Sequence, residues 1–73
     1  MPERITRDQI DGLAERVSAG LRGGYRVVPQ GRYGYIGLDL FDGEAMLRTL
    51  STGLSKRQAY DYLLAMAETM ALV

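Results

Sequence analysis

The chain contains no cysteine, no histidine and no tryptophan. Disulfide staples are therefore excluded, and with neither thiolate nor imidazole available so is an ordinary structural zinc site. Nucleophilic catalysis is reduced to hydroxyl and lysine variants. The only lysine, Lys56, falls in the first turn of an expected helix beside Arg57, where it reads as solvated. No apolar run approaches the roughly 20 residues of a membrane span. Residues 1–4 lead into a charged helix rather than the apolar core of a signal peptide, so the expectation is a soluble, cytoplasmic protein with no membrane partner.

An excess of one charge is also missing. Nine basic side chains balance nine acidic ones, which argues against the broad positive field of a strong nucleic-acid binder. The distribution is uneven, with six basic against three acidic residues between positions 21 and 60. A modest basic patch on the middle of the chain fits that asymmetry. With 73 residues, the chain is expected to form a single α+β domain, 1–73, whose stability rests on an efficiently used core.

What is present divides into three segments. Thr6 and Gln9 have capping-box spacing, Ile5 and Ile10 can close a hydrophobic staple, and Ile10, Leu13, Ala14, Val17 and Leu21 recur at helical spacing. Gly12 interrupts that helix at a cost of about 1 kcal/mol relative to Ala, and Gly20, Gly23 and Gly24 end it near residues 20–22. Ser55 and Gln58 repeat the capping box ahead of a second helix, in which residues 59–72 are nearly all apolar and Arg57 and Asp61 stand one turn apart. That wide apolar arc is expected to cover the sheet and helix 1, or else to supply a homodimer seam.

The middle segment reads as two hairpins sharing a strand. Tyr25–Val28 is β-forming, Pro29-Gln30-Gly31-Arg32 is read as the first turn, and Asp42-Gly43 as the second, a type I′ turn. The implied register pairs Val28 with Tyr33 and Leu38 with Leu47. Tyr25, Val27, Ile36, Leu38, Leu40, Ala45, Leu47 and Thr49 then face inward, and Arg26, Val28, Tyr33, Tyr35, Asp39, Phe41, Met46, Arg48 and Leu50 face the other way. The expected architecture is α-β-β-β-α, a three-stranded antiparallel meander with an N-terminal and a C-terminal helix. Both helices lie on one face, or one lies on each.

Candidate chemistry is sparse. Asp39, Asp42 and Glu44 are the only nearby acids on the hairpins, but Asp42 and Glu44 are explained by the turn and Asp39 as a diagonal partner of Arg48, so no catalytic or metal-binding residue is assigned and no cofactor is expected. The glycines of residues 31–37 lack the strand-loop-helix context of a phosphate loop and mark twist, a bulge or close packing instead. The distinctive surface is an aromatic-basic set: Arg26, Arg32, Tyr33, Tyr35, Phe41 and Arg48. Such a set serves a protein-protein hot spot, a base-stacking platform with phosphate contacts, or simple core or solvent-facing packing. Zero net charge favours the protein partner. The expected function is stoichiometric, non-enzymatic binding of another protein or protein complex, with a sheet-based nucleic-acid module as the alternative.

Residues 52–59, Thr-Gly-Leu-Ser-Lys-Arg-Gln-Ala, following the expected meander, resemble the strand-to-helix segment of three-stranded-sheet DNA-binding modules such as integrase arm-binding domains. That resemblance implies a sheet inserted into a DNA groove, although those modules carry more sheet arginines and lysines than this one. The overall size and residues 53–60 are also similar to small accessory proteins of phages and mobile elements. That class includes anti-CRISPR proteins, and the likeness implies inhibition or modulation of a host complex by stoichiometric binding.

Overall fold

The computed structural model describes residues 4–71, and both expected capping boxes form in it. The Thr6 hydroxyl accepts the Gln9 amide at 3.3 Å while the Thr6 amide donates to Gln9 Oε1 at 2.8 Å, opening helix α1 (Arg7–Gly20). Ser55 and Gln58 exchange the same two bonds, at 3.1 and 2.9 Å, at the start of helix α2 (Lys56–Ala71). Between the helices, β1 (Tyr25–Arg32), β2 (Tyr35–Asp42) and β3 (Ala45–Leu54) form an antiparallel meander in sequence order. This is the expected α-β-β-β-α fold. Expectations placed on residues 1–3 and 72–73 lie outside the described residues.

Alternation along the strands sends Val27, Ile36 and Leu38 to one face, where they are buried with Ile10, Leu13, Ala14 and Val17 of α1 and Ala59 and Leu63 of α2. Each fully buried Leu or Ile contributes roughly 1.5–3 kcal/mol. Both helices occupy this face, so the sheet's second face is free of helices. Helix α1 lies over β1 and against α2. The two helices meet closely at Gly20, where a Cβ would collide with Cε of Met70. The apolar arc of α2 is only partly used by the core. Tyr62, Ala65, Met66, Thr69 and Met70, with Leu21, line an open groove of about 360 Å³. No helix among the described residues is long and apolar enough to cross a membrane.

The hairpin registers differ from those expected. The first turn is Tyr33-Gly34 rather than residues 29–32, so Val28 pairs with Asp39, six residues beyond Tyr33. Pro29 stays in the strand because it lies on the outer edge of β1, where its missing N–H breaks no ladder bond. The second turn is Gly43-Glu44, closed by the Asp42–Ala45 pair, and only its first central residue has positive φ (Gly43, 61°), the pattern of a type II′ turn. Three register shifts then interrupt β3, and Gly53, at φ 70°, lies in one of them. As a result Thr49 pairs with Asp39 on the helix-free face and Arg48 with Leu40, the reverse of the expected faces. Ala45 and Leu47 are exposed rather than inward, and Tyr25, at the end of the core, is 43% exposed.

The two sheet edges are blunted differently. On β1 the Val27 amide donates to the Ser18 hydroxyl at 2.9 Å, and the Pro29 carbonyl accepts Nη2 of Arg7 at 2.8 Å, so α1 side chains stand in for a neighbouring strand. On β3 the irregular register makes a poor template for pairing.

Candidate aromatic-basic interface

Tyr33 and Gly34 occupy the two central positions of the β1–β2 turn with φ of 51° and 80°, closed by the Arg32–Tyr35 pair. Positive φ at both positions defines a type I′ turn, normally built from Asn-Gly. A tyrosine in that conformation costs about 1 kcal/mol, because its Cβ crowds the following carbonyl. Its side chain recovers nothing from packing, being 100% exposed. Tyr35, two residues on, is 57% exposed on the helix-free face. The two rings therefore stand together at one end of the sheet.

Arg32, between them and the strand, is anchored rather than free. Its Nη2 donates to Oδ2 of Asp39 at 3.0 Å, and Oδ1 of Asp39 accepts the Thr49 hydroxyl at 2.9 Å. The Arg32 and Thr52 side chains converge over Gly37, where a built Cβ lies at ordinary contact distance, 3.9 Å from Nη1 of Arg32 and 3.5 Å from Oγ1 of Thr52. Asp39 is thereby buried to 1% exposure on a face that no helix covers. The expected Asp39–Arg48 diagonal does not form, and Arg32 and Thr49 take its place. Beside this cluster, the tyrosines, Ile36, Gly37, Thr52 and Gly53 border a hollow of about 220 Å³.

The other three candidates do not join the tip. Arg26 sits over the Phe41 ring, 5.0 Å from its centroid, and its Nε donates to the Gly43 carbonyl at 3.0 Å. That pair lies six residues along β1 from the Arg32–Tyr35 pair, about 20 Å at strand rise. Arg48, opposite Leu40, is exposed on the helix side of the sheet. The aromatic-basic set thus resolves into a tyrosine tip with a neutralised arginine, a separate Arg26–Phe41 stack and an isolated Arg48. The bonds of Asp39 to Arg32 and Thr49 are absent from the sequence expectations. The available signal was an acid two residues after a glycine in the otherwise apolar run from Ile36 to Phe41.

Among the described residues no group of three or more acidic side chains gathers as a metal ion would require. Comparison with protein-family models, curated proteins and solved structures finds no match for this chain.

Proposed function

We propose that the protein is a non-enzymatic binding protein that engages a partner protein stoichiometrically through the tip of the β1–β2 hairpin, with Tyr33 and Tyr35 as its contact residues. Tyr33 carries this reading. It is a bulky side chain, wholly exposed, in a backbone conformation that Asn or Gly adopts at lower cost. A residue that strains its turn and packs against nothing within the fold is accounted for by what it touches outside. Tyrosine is also a residue type over-represented among interface hot spots, because it offers large rigid area with a polar end. The ion pair of Arg32 with a buried carboxylate favours a protein over a phosphate backbone, whose recognition needs uncompensated positive charge. A host complex as that partner is what the likeness of residues 53–60 to phage and mobile-element accessory proteins implies.

The second reading, a sheet that binds nucleic acid, rests on the Arg26–Phe41 stack at the other end of the same face. One comparison separates the two. Wild type and Tyr33→Asn/Tyr35→Ser are immobilised and exposed to extract from the native host. A protein held by the wild type and lost by the folded double variant supports the tip, and equal capture by both overturns it. A mobility shift with oligonucleotide that fades with salt and survives the double variant supports the second reading.

A further inference from the structure

We infer that Asp39 is a specificity-determining positioning residue: by seating and neutralising Arg32, it makes the tyrosine tip a surface for protein rather than for nucleic acid. The inference rests on the proposed role of that tip and adds the device that sets its chemistry. Two exposed tyrosines beside a free arginine are the ingredients of a single-strand binding platform, with rings for base stacking and a guanidinium for phosphate. Here the ingredients are adjacent but the charge is cancelled. The Arg32 side chain remains about half exposed, at 48%, whereas that of Asp39 is at 2%, so the carboxylate is committed to the arginine while the arginine still faces solvent.

The carboxylate divides its two oxygens between Arg32 and one neighbour on β3. One oxygen holds Nη2 of Arg32, and the other accepts Thr49, itself half-buried. The guanidinium lies over Gly37, with Nη1 3.9 Å from a Cβ built there. In Asp39→Asn one oxygen becomes an amide nitrogen, and the Thr49 hydroxyl can give to the remaining oxygen or accept from the nitrogen. In either orientation the negative charge that neutralised Arg32 is gone, and its guanidinium meets a phosphate with its full charge.

The test uses fluorescence anisotropy of a labelled oligothymidylate at about 20 mM salt and above. Glu68→Gln, on the exposed side of α2, changes net charge by the same amount away from the tip. Asp39→Asn is expected to bind on the order of tenfold tighter than Glu68→Gln at the lowest salt, with a salt slope steeper by about 0.7, the contribution of one phosphate contact to a single strand. Adding Arg32→Gln to Asp39→Asn should remove the gain. Equal binding by Asp39→Asn and Glu68→Gln overturns the inference. Arg32→Gln in an otherwise wild-type chain gives a measurement that does not depend on how Asp39→Asn folds. Its salt slope should match that of Arg57→Gln, which also strips the cation from an ion pair but on α2, and a slope shallower by about 0.7 in Arg32→Gln alone would show that Arg32 already contacts phosphate and overturn the inference. Tight, salt-sensitive binding by the wild type instead overturns the protein-partner reading, and this inference with it.

Discussion

The Ser18 hydroxyl accepts the Val27 amide at 2.9 Å across the gap between α1 and the edge of β1. The same hydroxyl lies 2.8 Å from the Ala14 carbonyl of its own helix, to which it donates. Helix and strand edge are thus tied through one oxygen, in the place where another chain's strand would otherwise pair. Ser18→Ala leaves the part-buried Val27 N–H without its acceptor, and about 1–3 kcal/mol should be lost in urea unfolding. It also uncovers the edge, so light scattering should show self-association rising with concentration. A variant as stable and monomeric as the wild type would mean the edge is protected by α1's bulk alone.

Two glycines in α1 should respond to alanine to different degrees. Gly12 is exposed with nothing within 4 Å of a built Cβ, so Gly12→Ala recovers the helix propensity, about 0.5–1 kcal/mol. At Gly20 the same methyl runs into Cε of Met70, the flexible end of a side chain that borders the open groove, so Met70 must turn aside to admit it. Gly20→Ala is therefore expected to raise the thermal midpoint less than Gly12→Ala, and the difference to shrink in a Met70→Ala background. Strong coupling between positions 20 and 70 identifies the displaced side chain as the cause.

Local signals carried the helices and failed at the turns. Thr6-Gln9, Ser55-Gln58 and the Arg57–Asp61 pair, which closes at 3.2 Å, depend on residues three or four apart, and all three form. The first turn was obscured by Pro29-Gln30-Gly31, a sequence with strong turn character that an edge strand nevertheless accommodates. Moving the turn to Tyr33-Gly34 displaced the partner of Val28 by six residues, an even number, so the inward set Val27, Ile36 and Leu38 survived a wrong register. No such protection applied to β3. Its register shifts flipped Arg48 and Thr49 between faces, and with them the identity of Asp39's partners. A bulge is decided by pairing across strands, and only Gly53 hinted at one in the sequence.

The Arg32–Asp39–Thr49 cluster should behave as a unit. Arg32→Gln removes the opposite charge from the carboxylate and leaves Thr49 as its remaining partner. The arginine is half exposed, so the expected cost is about 1–2 kcal/mol rather than that of a fully buried pair. Thr49→Val takes the other partner away. In Arg32→Gln/Thr49→Val the carboxylate loses both, and the combined loss should exceed the sum of the single losses by at least about 0.5 kcal/mol. Simple additivity in a double-mutant cycle would show that water replaces each partner independently.

At the tip, stability and binding should move in opposite directions. Tyr33→Asn converts Tyr-Gly into Asn-Gly, the pairing best suited to a type I′ turn, and removes a side chain that packs against nothing. Unfolding free energy should therefore rise by about 1 kcal/mol while capture of the partner falls. Gly34→Ala changes the neighbouring position, also at positive φ, with open space around it, so its cost of about 1 kcal/mol is purely conformational. Its tyrosines remain, and partner capture should persist wherever the variant is folded. Should Tyr33→Asn bind as well as the wild type, the strained tyrosine would have no role at the interface. A gain in stability without that loss would leave the turn merely suboptimal, and the contact would have to be sought around Tyr35 and the Arg26–Phe41 stack.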